Sequence, residues 1–279
     1  TPLAELAEQS KALEKQLENI EPPTPLKQRH ELLLIQLKSV TAFIALQQNI
    51  PMTFDEESLA LYDAKSPYIT FAQLDEILAE LDNLIPGDTP LNQRVNEFNG
   101  QFVIPKDKLD TVFVAAIDEA RARTKQHIDL PSNESFSIEY VTDKIWSGYN
   151  WYKGNNYSLI QLNTDFPMYI NRAIDLASHE GYPGHHVFNS QMEQHLVNNN
   201  QWIEYSVYPL FSPMSLLAEG SANYGISVAF PHEERMAFEK EVLFPLAGLD
   251  STKVEQYYQV QFELERLSYA DNVIAKQYL

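Results

Sequence analysis

Ser178-His179-Glu180-Gly181-Tyr182-Pro183-Gly184-His185-His186 holds three of the chain's seven histidines beside a glutamate, and its spacing dictates how the chain must fold there. Neutral imidazole is a frequent zinc ligand, and glutamate is a common neighbouring base. The regular zinc helix reads His-Glu-x-x-His, which puts the two histidines about 40° apart on one face. Here Pro183 occupies the position where the second histidine should sit, so that arrangement fails. From His179 to His185 an unbroken helix would turn through roughly 240°. His179 and His186 would share a face but stand about 10.5 Å apart in rise, too far for one ion. The helix is therefore expected to break or bulge at Pro183-Gly184, the residues that permit it. Spacing alone leaves both His185 and His186 open as the second ligand.

A catalytic zinc needs a third protein ligand and an open position for water. Glu219, in Leu217-Ala218-Glu219-Gly220-Ser221-Ala222-Asn223-Tyr224-Gly225, is the best candidate. It falls in an otherwise apolar helical segment, where an unpaired carboxylate is costly. Asn223, one turn later, is placed to orient a ligand from behind, and His186 is a second candidate for that role. The developing oxyanion of a hydrolysis needs a donor. Tyr224 leads Tyr149, Tyr157, Tyr269 and Arg266 for it because it shares the Glu219 segment. His30, His127, His195 and His232 have no partner at ligand spacing. Arg172 lies two turns before His179 on the same face, and a structural salt bridge is its simplest reading.

Around this stretch the pattern is mainly α (α+β). Helices are expected from Leu3 to Ile20, Leu26 to Gln48, Thr70 to Leu84 and Lys106 to Gln126, with a short one opened by a Thr53/Glu56 capping box. Ser135–Val141 and Tyr157–Asn163 alternate in the strand manner, and the aromatic, turn-rich segment Trp146–Asn156 lies between them. The simplest account is a small antiparallel sheet beside the active-site helix, whose Tyr157–Asn163 edge would take an extended peptide. Helices return at Met168–Tyr182, His185–Val197, Pro213–Ala229, Pro231–Leu246 and from Ser251 onward. Residues 1–130 then form a helical N-terminal region and 131–279 the metal-binding catalytic region, packed as one unit. The last helical pattern reaches Leu279 without a stop signal, as expected of a chain that continues.

The sequence has 279 residues, enough for a full core, and a formal charge of -19. That charge repels phosphates and argues against a nucleic-acid partner. No cysteine is present, which excludes thiolate ligands and leaves His, Asp and Glu for any metal. No apolar run reaches the roughly 18 residues of a membrane span.

The string His179-Glu180-x-x-Pro183-Gly184-His185-His186, followed by Glu219-Gly220, resembles the bacterial family catalogued as domain of unknown function 885. Asn163-Thr164-Asp165-Phe166-Pro167 is similar to the segment before that family's active helix. The resemblance runs from about Trp146 to the C-terminus. It implies a zincin-like fold related to the gluzincin metallopeptidases, with zinc as cofactor. It makes His179, His185 and Glu219 the metal ligands and Glu180 the general base, acting on a peptide or small amide. It also implies an exported or cell-envelope protein. The downstream string departs from the family's Glu-Gly-Trp-Ala-Leu-Tyr-Ala-Glu at Ser221, Asn223 and Ile226. An ester or non-peptide amide hydrolase, and a non-catalytic protein of the same fold, are the competing expectations.

Overall fold

Thr53 accepts from the Glu56 backbone N–H while the Glu56 carboxylate accepts from the Thr53 N–H, the reciprocal bonds that start a helix at Phe54. The computed structural model describes residues 1–278, and most of them are helical. In chain order the helices before the sheet are α1 (Leu3–Glu18), α2 (Lys27–Gln47), α3 (Phe54–Tyr62), α4 (Phe71–Leu84), α5 (Leu91–Gly100) and α6 (Leu109–Thr124). After it come α7 (Asn171–Leu176), α8 (His185–Met192), α9 (Pro213–Ala229), α10 (His232–Phe238), α11 (Phe244–Ala247), α12 (Val254–Leu267) and α13 (Ala270–Tyr278). No helix among the described residues is long and apolar enough to cross a membrane. Helix α5 has no counterpart in the sequence expectations. Its stretch LNQRVNEFNG carries Leu91, Val95 and Phe98 at helical spacing, but these three span only about two turns and the remaining residues are polar or glycine.

The chain packs as two compact units, Thr1–Leu74 with Tyr208–Leu217 and Leu267–Leu279, and Asp75–Val207 with Ala218–Arg266. Helices α5 and α6, which lie within residues 1–130, pack in the unit that carries the histidines. In the first unit α1 lies on α2, with Ser10 and Glu14 both bonded to Thr41. There Phe43 stacks on Phe211 at 5.2 Å.

The second unit is built on a three-stranded sheet of order β1-β3-β2, with β1 Ser135–Val141, β2 Gly148–Gly154 and β3 Tyr157–Asn163. It is mixed rather than antiparallel: β3 runs parallel to β1 and antiparallel to β2. The correction comes from the aromatic segment, which supplies β2 and reverses the chain between the two expected strands. Asn155 and Asn156, both at positive φ, form the two-residue turn, and their small polar side chains tolerate that conformation. Strand β3 is central and paired on both sides, so it offers no edge for a peptide; the edges are β1 and β2.

Inward residues Ile138, Ile160 and Leu162 meet Phe113, Ile117, Leu176 and Ala177 between sheet and helices. The start of the histidine helix is fixed by periodicity. Ile170, Ala173, Ile174 and Ala177 recur at i, i+3, i+4 and i+7, and all four are buried. Behind them Phe102 packs on Tyr257 at 4.2 Å and on Phe244 at 6.1 Å. Each such fully buried ring contributes about 1.5–3 kcal/mol.

Candidate metal centre

Helix α7 does not continue regularly through the histidines. From Ala177 to Gly181 it widens into a π-helical turn, closed by Tyr182 N–H donating to Ala177 O at 2.9 Å. Tyr182 is then extended, the Tyr182–Pro183 peptide is cis, and α8 starts at His185. The interruption therefore falls at Tyr182-Pro183-Gly184. Gly184 makes it possible: a Cβ there would lie 1.9 Å from His179 O and 2.4 Å from Ser178 O. Its own N–H donates to Ser178 O at 2.9 Å. Only a residue without a side chain lets the backbone double back this tightly. The result is that the His179 and His185 rings stand 4.6 Å apart and edge to face.

Helix α9 brings the carboxylate. Ala218, Ala222 and Gly225 form its small inner stripe; the two alanines are buried, and a Cβ on Gly225 would press on Pro183 Cγ at 2.9 Å. Beside this stripe Glu219 places Oε2 3.2 Å from His179 Nε2 and Oε1 3.2 Å from His185 Nε2. The three side chains form a group that can hold a metal ion, with one ligand atom from each lying within 4.8 Å of the others. Two imidazole nitrogens and a carboxylate oxygen are a zinc donor set, and bonds of about 2.0–2.2 Å in a tetrahedron separate neighbouring donors by roughly 3.4 Å. Each imidazole nitrogen lies 3.2 Å from a different oxygen of the one carboxylate, so the donors already converge on one point between them.

His179 Nδ1–H donates to Asn223 Oδ1 at 3.0 Å, which leaves Nε2 free for a metal. Asn223 thus orients the ring from behind. Where a metal is bound there, replacing Asn223 by alanine is expected to weaken its binding 10- to 100-fold without unfolding the chain, as read by chelator competition. An unchanged affinity would remove Asn223 from the site. In the metal-free chain Glu219 sits far below the usual carboxylate range because His179 and His185 both hydrogen-bond to it. Burial by itself pushes His179 down, but its hydrogen bond to Glu219 and the charges of Glu180 and Glu219 make the net direction upward.

Glu180 lies outside this group of three. It is 6% exposed and burial raises its pKa, against the pull of His179, His185 and Arg172. Gly148 of β2 leaves room beside it, since a Cβ there would come within 3.4 Å of Glu180 Oε1. Asn150 of the same strand donates to Glu180 O at 2.6 Å.

No family model, no curated protein and no solved structure matches this chain. The geometry alone speaks for the remaining residues. His186 turns away from Glu219: it is buried, with Nδ1 2.8 Å from Ser158 Oγ and Nε2 3.3 Å from Glu134. Its burial pushes its pKa down. Between the two adjacent histidines, His185 is the one that faces the carboxylate. Tyr224 is 72% exposed on α9, about 140° around the helix from Glu219, and makes no hydrogen bond to the three ligands. Arg266 pairs with Glu263 at 2.6 Å and lies over the Phe262 ring, within its own helix. Arg172 bonds to Ser147 Oγ at 3.3 Å and lies 3.7 Å from Asp175.

Sequence reasoning missed Glu134, Arg121, Tyr182 and Ser158, which surround His186. Glu134 lies 52 residues from His186 along the chain and reaches it through tertiary structure, directly before the strand that pairs with β3. The available signal was a carboxylate directly before a strand, which by itself reads as a solvated end.

Proposed function

We propose that this chain is a zinc-dependent hydrolase that cleaves peptide bonds, with His179, His185 and Glu219 as the metal ligands and Glu180 as the general base. The observation that carries the reading is the buried carboxylate of Glu180, next in sequence to one ligand yet free of the ligand set. The resemblance of the His-Glu-x-x-Pro-Gly-His string to a family of gluzincin-like peptidases supports the same reading. Bound zinc would polarise the scissile carbonyl and make water more acidic.

Glu180 then takes one proton from the attacking water as its oxygen bonds to the carbonyl carbon. It returns that proton to the nitrogen as the C–N bond breaks. Its desolvated setting raises its pKa toward the working pH, which is what a base that must also act as an acid requires. Asn223 holds His179 in the tautomer that presents Nε2. Edge strand β2 supports a peptide substrate, because Gly148 and Asn150 place it beside Glu180, where an extended chain can add backbone hydrogen bonds.

The test is metal analysis of the purified chain followed by digestion of a peptide library. One zinc per chain is expected, lost in His179→Ala. Glu180→Gln should keep the zinc and lose about 10²- to 10⁴-fold in turnover. A chain that takes up no zinc after careful loading sinks the proposal. Cleavage undiminished in Glu180→Gln removes Glu180 as base. Zinc without cleavage of any peptide moves the reading to an ester or non-peptide amide substrate, or to a binding protein.

A further inference from the structure

Tyr182 and His186 flank the interruption that turns His185 toward His179. One buried carboxylate holds both of them. Glu134, directly before β1, is 1% exposed at its side chain. Its Oε2 accepts from the Tyr182 hydroxyl and lies 3.3 Å from His186 Nε2. Its Oε1 accepts from Arg121 Nε at 2.7 Å and from Arg121 Nη2. The far side of His186 is fixed as well, with Nδ1 2.8 Å from Ser158 Oγ of β3. An ionised carboxylate only accepts, so His186 Nε2–H donates to Glu134 and the Ser158 hydroxyl donates to Nδ1.

These bonds have a geometric consequence. Between Tyr182 and His186 the chain contains only Pro183, Gly184 and His185. Gly184 is pressed on His179 O and Pro183 lies against Gly225 of α9, so the loop has contacts on its inner side. Glu134 supplies the anchor at both of its ends. We infer that Glu134 is a positioning residue for the metal centre: by tying Tyr182 and His186 to Arg121, it sets where the His185 imidazole stands relative to His179 and Glu219.

The inference rests on the metal-centre reading given above, and it goes further by making ligand placement depend on a residue that touches no ligand. A fold-stabilising role alone would lower the stability of the metal-free chain and leave the affinity of the folded protein unchanged. Positioning moves the affinity itself. Losses of 10- to 100-fold are typical when a group behind a metal ligand is removed.

The experiment uses the full chain as Glu134→Gln and Tyr182→Phe. Glutamine keeps the size but replaces one acceptor oxygen by a donor, so it cannot serve Arg121 and the Tyr182–His186 pair together. Tyr182→Phe removes one hydroxyl only, and it decides the matter if Glu134→Gln does not fold. Circular dichroism of the metal-free proteins reports folding, and chelator competition reports zinc affinity. The cobalt(II) absorption spectrum reports coordination geometry. Zinc affinity is expected to fall 10- to 100-fold in Glu134→Gln and by less in Tyr182→Phe, with an altered cobalt spectrum in both. Folded variants whose affinity stays within about twofold of the wild type, with unchanged spectra, overturn the inference. A wild type that binds no zinc defeats the metal-centre reading separately. The His185 ring-nitrogen resonances of the metal-free chain then decide: displacement in both variants upholds the clamp, and unshifted signals overturn it.

Discussion

Gly184→Ala is expected to abolish zinc binding and to destabilise the chain by at least ~3 kcal/mol, the upper range of overpacking costs. The added carbon would sit 1.9 Å from His179 O and 2.4 Å from Ser178 O. Both are backbone atoms inside the π-helical turn, so no side-chain rotation relieves the overlap. The chain must open between Ser178 and Gly184, and opening it separates the two imidazoles now 4.6 Å apart. Gly220→Ala is the matched control. A Cβ there meets nothing within 4 Å, and in the interior of α9 alanine is favoured over glycine by about 1 kcal/mol. Urea denaturation and zinc stoichiometry of the two variants test the pair. A Gly184→Ala protein with native stability and one bound zinc would show that the close approach is not required.

The same residue marks how far the sequence could be read. Proline at the fourth position after His179 excludes a regular zinc helix, and glycine beside it identifies where the chain turns back. Both are local facts, and the interruption they demand is present. The capping box at Thr53, the helix running from Met168 into the histidines and the segment of α9 were legible for the same reason: a short window contains the whole pattern. The choice between His185 and His186 was not legible, because it depends on which ring finds Ser158 and Glu134 across the sheet.

Strand pairing was equally hidden. The residues of β2, GYNWYKG, are half-exposed along most of their length, so they lack the apolar alternation that signals a strand. Without β2 the other two strands read as a hairpin; with it they become parallel neighbours. Arg121 and Glu134 are ordinary charges in the sequence. Their importance appears only when β1 buries the carboxylate to 1% exposure.

Arg235→Met is expected to cost about 3–5 kcal/mol near pH 8, the penalty for stranding a buried charge without its partner. Arg235 Nη2 lies 2.8 Å from Asp175 Oδ1 and also donates to Asn171 O at 2.9 Å. Its Nε lies 3.1 Å from Glu239 Oε1 and donates to the Tyr258 hydroxyl at 2.8 Å. The network therefore fastens α7, whose Asp175 lies four residues before His179, to α10 and α12. Methionine fills much of the space and removes every one of these donors. Glu239 is fully buried, and its Oε2 has no hydrogen-bond partner. Burial pushes its pKa up to about 7, against the pull of Arg235. A carboxyl group that holds its proton more tightly when folded contributes most below its unfolded pKa, about 4.5. That contribution is lost as pH rises through about 7, where the folded chain gives up the proton and must hold the carboxylate charge in a fully buried site. Removing Arg235 removes the main force that lowers this pKa, so the variant should gain more from acidification than the wild type. Urea denaturation is expected to show a deficit near pH 8 that shrinks at pH 5. Glu239→Gln, which carries no titrating proton, should flatten the wild-type dependence over the same window. A deficit equal at both pH values would mean that packing, not charge, accounts for the loss.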